Sequence, residues 1–484
     1  MRIFEIIILL ICTVLPFVLS NKKYGFNKKI LLPILVGVFF LHLFIEGLRG
    51  QMFLAYLVLL ILAWCVFKEF RFFKGGWFRK ITTGVVFIVL LFLGWVLPYI
   101  LPVFSLPVPN GNYAVGSHYL HLQTNQDEIL TSKKGDKRAL MIKVWYPAVL
   151  NDEETEPYLN EGDRVGFASK YGLPNSALNY LNLIQTHTYS SPEVAKGKFP
   201  VLIFSPGIYS TASGYYALLE EIASQGYIVL NVNHTYESTG SLFPDGTIKL
   251  FDFEYDRIHN NQEMGEMAWF GNQAYFEAKT EEEQFAGIED LIRNYVAAEI
   301  TLRWSKDISV VIDELENWNS SSILASHINT AQIGVFGHSQ GGAAAGQILL
   351  DDVRVKAAIN VDGVQWGPMI DTILTKPMAH ISADWPETHP DFNKHIYKNR
   401  STSDFYNVKI VGTGHSNFMD IPSMIRIPII NEAGAINPKK GYSISSSFIL
   451  RFFDKYLLEK SSNIMELGQE YPELVIDFTQ ALKK

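Results

Sequence analysis

Apolar residues are not spread evenly along the chain. Before residue 105 they form four long runs, which predict membrane-spanning helices over about 3–20, 30–47, 52–67 and 81–104. Two runs are short for a span, which needs roughly 20 residues of helix. Phe44, Trp64, Trp77, Trp95 and Tyr99 on the flanks extend them into the interfaces, where aromatic belts lie. After residue 105 short β-branched and aromatic runs alternate with helical periodicity. Strands are expected at Leu140 to Tyr146, Pro200 to Ser205, Tyr227 to Asn233, Gln332 to Phe336, Val355 to Val361, Pro377 to Ser382 and Tyr406 to Val411. Such alternation is the signature of a mostly parallel sheet covered by helices. Residues 105–484 are therefore expected to form one doubly wound α/β domain behind a bundle of about four transmembrane helices.

Too much chain separates Asn233 from Gln332 for a simple crossover. A lid-like insertion is expected over about 235–300, aromatic and acidic between Phe251 and Asp290, with Trp269, Phe270, Tyr275 and Phe276. It either covers the sheet's carboxyl edge, where open α/β sheets bind ligands, or packs on its own aromatics at the surface. The next helix, roughly Arg293 to Trp318, reads as a plain crossover. Ile300, Val311 and Leu315 form its apolar face, and Arg303 and Asp307 are spaced to pair at i,i+4.

Charge orients the spans. The first loop holds Lys22, Lys23, Lys28 and Lys29, the second only Arg49, and the third Lys68, Arg71, Lys74, Arg79 and Lys80. Basic loops resist translocation, so loops one and three are expected in the cytoplasm, with the amino terminus and the domain after residue 105 outside. A competing reading takes Met1 to Ser20 as a cleaved signal peptide, which leaves three spans and a cytoplasmic domain. His42 and Glu46 mark either an intramembrane site or, near the outer end of the second span, an interfacial placement. The net charge is −8, but the short loops before residue 105 carry a basic excess, which leaves the globular part more acidic than that figure and argues against nucleic acid as a partner. Both cysteines, Cys12 and Cys65, lie in the apolar runs, so the globular part has no thiol for a disulfide, a zinc site or a nucleophile.

The sharpest chemical signal is GHSQGG, Gly337 to Gly342, between the strand Gln332 to Phe336 and a small-residue helix start, Ala343 to Gly346. A strand-to-helix turn this tight strains its central residue, and side chains two positions either side would clash, hence Gly337 and Gly341. Ser339 is thereby presented outward at a helix amino terminus, where developing negative charge is favoured. A serine nucleophile needs a base, and in this fold the order along the chain is Ser, acid, His. Of His380, His389, His395 and His415, the last stands in VGTGHSNF, a glycine-flanked loop after the final expected strand. His380 reads as a core residue within a strand, His389 and His395 as solvated loop residues. Asp362 in INVDG and Asp384 in ISADW both end strands at the same edge, and position does not choose between them. Two backbone N–H groups are expected to form an oxyanion hole, one from Gln340 and one from the loop SPGIYS, where Ile208 is the best placed. No metal and no organic cofactor is expected.

Taken together these segments resemble the platelet-activating factor acetylhydrolase family and its bacterial relatives, near the dienelactone and polyester hydrolases. The resemblance runs through LPVPNGNYAVG, KVWYPA, FPVLIFSPG, GYIVLNVNH, GHSQGG, AINVDGVQWGP and GTGHSNFMD, in that order. It implies an α/β-hydrolase with Ser339 as nucleophile, His415 as base, Asp362 rather than Asp384 as acid, and Ile208 with Gln340 as oxyanion donors. Where the family often has His-Gly in the oxyanion loop, this chain has Pro206-Gly207. The implied activity is that of a membrane-tethered serine esterase acting on short-acyl or oxidised phospholipid esters. The alternatives are a polyester- or dienelactone-type esterase of soluble substrates and a catalytically silent membrane sensor.

Overall fold

The computed structural model of the protein describes residues 1–20, 27–70, 76–131 and 133–480. Lys22, Lys23, Arg71 and Lys74, which contribute to the expected orientation, lie outside these residues. The chain divides into two compact units.

The first comprises Met1–Ser105 with Ser176–Gln185 and Pro422–Asn431. Its helices are α1 (Ile3–Ser20), α2 (Lys28–Ile45), α3 (Phe53–Phe67, entered through a short turn at Gly50–Met52) and α4 (Trp77–Ile100). With that turn counted into α3, all four are long and apolar enough to cross a membrane. Ile8, Leu9, Cys12 and Leu15 of α1 pack with Val58, Leu59, Leu62 and Cys65 of α3 to form the bundle's interior. Polar groups gather at one end. Arg49 is fully buried and bonds Glu5 bidentately at 2.7 and 2.8 Å, and its remaining donors reach the carbonyl oxygens of Leu101 and Pro98. His42 is buried too, between Glu46 at 3.0 Å and the Tyr56 hydroxyl at 2.6 Å.

The second unit is built on a sheet formed from β1 (Ala114–Asp127), β2 (Lys137–Val149), β3 (Thr188–Ser190), β4 (Glu193–Val194), β5 (Phe199–Ser205) and β6 (Ile228–Asn233). A separate hairpin, β7 (Gly240–Leu242) with β8 (Ile248–Leu250), follows. The sheet resumes with β9 (Ile328–His338), β10 (Val355–Val361), β11 (Met378–Ser382), β12 (Phe405–Ile410) and β13 (Leu474–Thr479). Among the described residues its order is β13-β12-β11-β10-β9-β5-β6-β2-β1-β3, with β4 on β2. The stretch from β6 to β12 is parallel, and antiparallel strands close both ends. The seven expected strands fall on β2, β5, β6 and β9 to β12. The central strands are continuous apolar runs because helices cover both faces.

Helices of this unit include α5 (Glu161–Lys170), α6 (Tyr216–Ser224), α7 (Phe253–His259), α8 (Gln262–Glu277), α9 (Glu281–Asn294), α10 (Val296–Ser321) and α11 (Gln340–Asp351), and a further 20-residue helix runs over Pro438–Leu457. The long connection from β6 to β9 thus carries three helices before its crossover helix α10. Ile300, Val311 and Leu315 are buried against the sheet as the periodicity requires. The i,i+4 pairing of Arg303 with Asp307 does not form. Asp307 turns inward and grips the buried Arg138 of β2 through two bonds of 2.6 Å, while Arg303 takes Glu237. A buried guanidinium left without a carboxylate is far more costly than a lost surface pair, and this outranks helix spacing.

Candidate active site

Ser339 is the residue between β9 and α11, with φ +56° and ψ −123°. Such strain in a non-glycine residue persists only where the surroundings enforce it. A Cβ on Gly337 would stand 2.2 Å from the carbonyl oxygen of Gly341, and one on Gly341 would stand 2.1 Å from that of Ser205. The two glycines therefore let the turn close on itself and on the end of β5.

His415 follows β12 in the loop Gly412–Gly414, with its side chain 27 % exposed. Its Nδ1 meets Asp362 Oδ2 at 2.6 Å. The other Asp362 oxygen accepts from the Ala383 N–H at 2.7 Å and from Trp385 Nε1 at 2.8 Å. Burial opposes a charge on Asp362, but the His415 hydrogen bond and field, with the Ala383 donor, outweigh it and hold the carboxyl below its ordinary range. Asp362 itself has φ +53°, and its N–H is tied to the Ile381 carbonyl at 2.6 Å, which fixes the carboxylate at the strand end. Asp384 does not face the imidazole. It accepts from the Gly412 N–H at 2.9 Å and donates its own N–H to Thr413 at 3.0 Å, bracing the loop that carries His415.

Ser339, Asp362 and His415 line one cavity of about 500 Å³, together with Ile208, Gln340, Trp366 and Trp385. Among the described residues no hydrogen bond joins Ser339 Oγ to His415, and such bonds commonly tighten only around substrate. The expected oxyanion donors flank the serine. In the loop after β5, Gly207 N–H is taken by Tyr215 Oη at 2.9 Å and Tyr209 N–H by the Glu237 carbonyl at 2.8 Å. Ile208 N–H has no such partner among the described residues. Gln340 sends its side-chain amide under α10, to Ala297 O and Thr301 Oγ1, and its backbone N–H opens the first turn of α11. Such leading N–H groups have no intrahelical acceptor.

Of the other histidines, His380 is buried on β11 between Asn393 and Asn407. His389 stacks on Trp385 with ring centroids 4.4 Å apart and lines the cavity. His395, expected in a solvated loop, is 2 % exposed, because Tyr275 of α8 and Phe285 of α9 pack over it. The insertion helices line none of the cavity among the described residues but reach its wall through Phe392, which meets Tyr275, and Trp366, which meets Tyr295.

Three participants escape sequence reasoning: Trp385, Tyr215 and His338. Trp385 is adjacent to Asp384 in the segment ISADW, but nothing local says that its indole reaches Asp362. His338, Asp362 and His415 bring donor atoms within 4.8 Å of one another, a spacing that suits a metal ion. Both His338 nitrogens are already engaged, by Tyr215 Oη at 2.9 Å and His415 O at 3.1 Å, and His415 Nδ1 is engaged by Asp362. Among the ring nitrogens of these two histidines only His415 Nε2 is left open, which suits proton transfer better than ligation.

A mostly parallel sheet with a strained serine at a strand-to-helix turn, and a His–Asp pair just past the ends of β12 and β10, defines an esterase of the α/β-hydrolase class. A ferulic acid esterase from Streptomyces cinnamoneus shares this fold, with a TM-score of 0.60 and 22 % identity over 78 % of this chain and 99 % of that one. The chain belongs to the platelet-activating factor acetylhydrolase, isoform II, family, whose model matches residues 102–470, and it is a carboxylic ester hydrolase. The guinea-pig (Cavia porcellus) platelet-activating factor acetylhydrolase is 23 % identical over 396 residues, 78 % of this chain and 84 % of that protein. The dog (Canis lupus familiaris) enzyme of the same name is 23 % identical over 74 % and 82 %. A probable 1-alkyl-2-acetylglycerophosphocholine esterase of Arthroderma benhamiae is 23 % identical over 57 % and 65 %.

Proposed function

We propose that this protein is a membrane-tethered serine esterase that cleaves short-acyl or oxidised phospholipid esters on the outer side of the membrane. The observation that carries the chemistry is the 2.6 Å bond from His415 Nδ1 to Asp362, on a cavity that also holds Ser339. With Nδ1–H donated to Asp362, His415 Nε2 is unprotonated and free to act as base. Ser339 Oγ attacks the ester carbonyl carbon as its proton passes to Nε2. The N–H groups of Ile208 and Gln340 receive the negative charge that gathers on the carbonyl oxygen. Collapse of the tetrahedral intermediate breaks the carbon–oxygen bond, and the imidazolium returns the proton to the departing alcohol. Water, deprotonated by the same nitrogen, then attacks the acyl-serine and releases the acid. The bonds of Asp384 to the His415 loop support Asp362 as the acid, against the polyester-hydrolase reading.

Tethering is supported by the four apolar helices and by the bond of Arg49 to Glu5. Cleavage after Ser20 would remove Glu5 and strand a buried guanidinium, which favours four spans over three. The basic loops then favour an outer catalytic unit. Ile208, Val364, Trp366, Trp385 and Phe392 give the cavity apolar walls for the acyl group and lipid-like leaving groups. We further read residues 235–300 as a lid, on the contacts of Tyr275 and Tyr295 with the cavity wall.

An impermeant fluorophosphonate applied to intact cells is expected to label the wild type and to spare Ser339→Ala. Labelling of the alanine variant would overturn the nucleophile, and labelling only after lysis would overturn the orientation. Hydrolysis of p-nitrophenyl esters of rising chain length, compared with a short-acyl phospholipid in vesicles, tests the substrate class. A preference for soluble esters over the vesicle substrate would replace the lipid reading.

A further inference from the structure

The loop that holds Ile208 and the loop that holds His415 are joined by a buried chain of hydrogen bonds running beside Ser339. Pro206 has no N–H with which to anchor its loop. The next donor, Gly207 N–H, goes to Tyr215 Oη at 2.9 Å. Tyr215 Oη meets His338 Nδ1 at 2.9 Å, and His338 Nε2 meets the backbone carbonyl oxygen of His415 at 3.1 Å. A carbonyl only accepts, so His338 carries its proton on Nε2, and Nδ1 of the neutral ring must accept from the tyrosine. Each donor along the chain thus has one acceptor.

The chain is dry and tightly placed. Tyr215 is 1 % and His338 2 % exposed. The Tyr215 ring packs edge-on to Phe204 of β5 at 4.8 Å, and the His338 and His415 rings lie 4.5 Å apart. A Cβ on Gly207 would be 3.3 Å from Ser339 Cβ and 3.3 Å from Tyr215 Oη, so the phenol bears on the point of the loop that faces the nucleophile. Burial, reinforced by the positive potential of His415, pulls His338 down to about 3, and burial pushes the Tyr215 phenol up. Neither link changes its protonation where a histidine base works.

We propose that Tyr215 and His338 are positioning residues that fix the oxyanion loop and the His415 backbone relative to each other across Ser339, so that the Ile208 N–H and the His415 imidazole are preorganised together for the tetrahedral intermediate. The inference rests on the roles of Ser339, His415 and Ile208 set out above. A group that acts only on the tetrahedral state changes kcat and leaves ground-state binding alone.

The test uses the full-length enzyme in detergent micelles, with active sites counted by fluorophosphonate titration. Tyr215→Phe keeps the ring and removes only the hydroxyl. It is expected to lower kcat per titrated site on p-nitrophenyl acetate by about tenfold to a hundredfold with KM within about twofold, the scale of losing part of an oxyanion contact. Affinity for an alkyl boronic acid, which forms a tetrahedral adduct on the serine, should fall in parallel. His338→Leu should behave likewise, and His338→Gln, whose amide can again donate to the His415 carbonyl, should recover most of the loss. Unchanged kcat and boronate affinity per site in Tyr215→Phe overturn the proposal. So does a loss of activity accounted for entirely by fewer titratable sites, which marks a merely structural role. Retained activity in Ser339→Ala would instead remove the site assignment itself, so the two failures are told apart.

Discussion

In the helix bundle large apolar side chains face outward, with Phe17, Phe44, Leu60, Ile88 and Phe92 between 63 % and 81 % exposed. In the hydrolase unit the corresponding residues, Val201, Ile203, Val335, Phe336 and Ile359, are fully buried. Both units nonetheless bury charge, and in the same manner. Arg49 is saturated by Glu5 and two carbonyls in the one, and Arg138 by Asp307, Glu128 and Glu237 in the other. The outward apolar surface of the bundle is what the proposed membrane setting requires, whereas the rule for buried charge is common to both units.

The largest expected effect belongs to the hydrolase unit and concerns its acid. Asp362→Asn should lower kcat about 10⁴-fold by favouring the wrong imidazole tautomer. Asp384→Asn, which keeps an acceptor for the Gly412 N–H, should lower it by less than about tenfold. Steady-state kinetics on a p-nitrophenyl ester decide, and the opposite ranking would make Asp384 the acid.

In the bundle the comparable experiment reads stability. Glu5→Gln leaves Arg49 without a counter-charge and should cost about 3–5 kcal/mol. It is measured as a fall in the unfolding midpoint in detergent, with activity per titrated site preserved. If residues 1–20 were removed in the cell, Glu5 would be absent from the mature protein and the substitution would change nothing.

How far each region was legible follows from the range of its interactions. The four apolar helices, the seven central strands and the elbow around Ser339 are written locally, in run length, alternation and glycine spacing. β1 and β13 were missed because their patterns are weak: in Ala114–Asp127 and Leu474–Thr479 buried, half-buried and exposed positions mix. His395 was misread because the aromatics that bury it lie more than 100 residues earlier in the chain. The Arg303–Asp307 pairing failed because helix spacing cannot reveal a competing guanidinium on β2. Asp362 and Asp384 were equivalent by position. The resemblance favoured Asp362, and the three-dimensional course of the loops sends it to His415 and Asp384 to the backbone of Gly412.

Acid should separate the units next. Burial is the leading cause that lowers His234, His338 and His380, the second to about 3. Each therefore binds a proton more readily in the unfolded chain, whose histidines titrate near the ordinary value of about 6.5. The stability they confer is present above that value and is lost as pH falls below it, by at most about 1.4 kcal/mol per pH unit per histidine. The urea midpoint of the hydrolase unit, followed by intrinsic fluorescence, should fall between pH 7 and pH 5, and His338→Gln should flatten the slope. An unchanged slope would show that His338 is not protonated on unfolding.

The smallest effect concerns how helices end. In the hydrolase unit, exposed helix starts are closed by side chains: Asn160 for α5, Asp252 for α7, Asn261 for α8, and a reciprocal Thr280–Glu283 box for α9. In the bundle α2 starts on an Asn27 cap, whereas α3 and α4 have no side-chain cap at their starts. Isolated water-exposed helices of this length are marginal and gain from each satisfied N–H. For helices read as spans, the proposed lipid setting leaves the backbone no alternative partner. Thr280→Ala should therefore cost about 1 kcal/mol of hydrolase-unit stability. Because no residue of α9 lines the cavity among the described residues, kcat per titrated site should stay within about twofold. The check is a urea titration beside active-site-normalised kinetics. A larger fall in kcat with unchanged midpoint would mean that the start of α9 takes part in the opening of the cavity, and that the insertion moves during turnover.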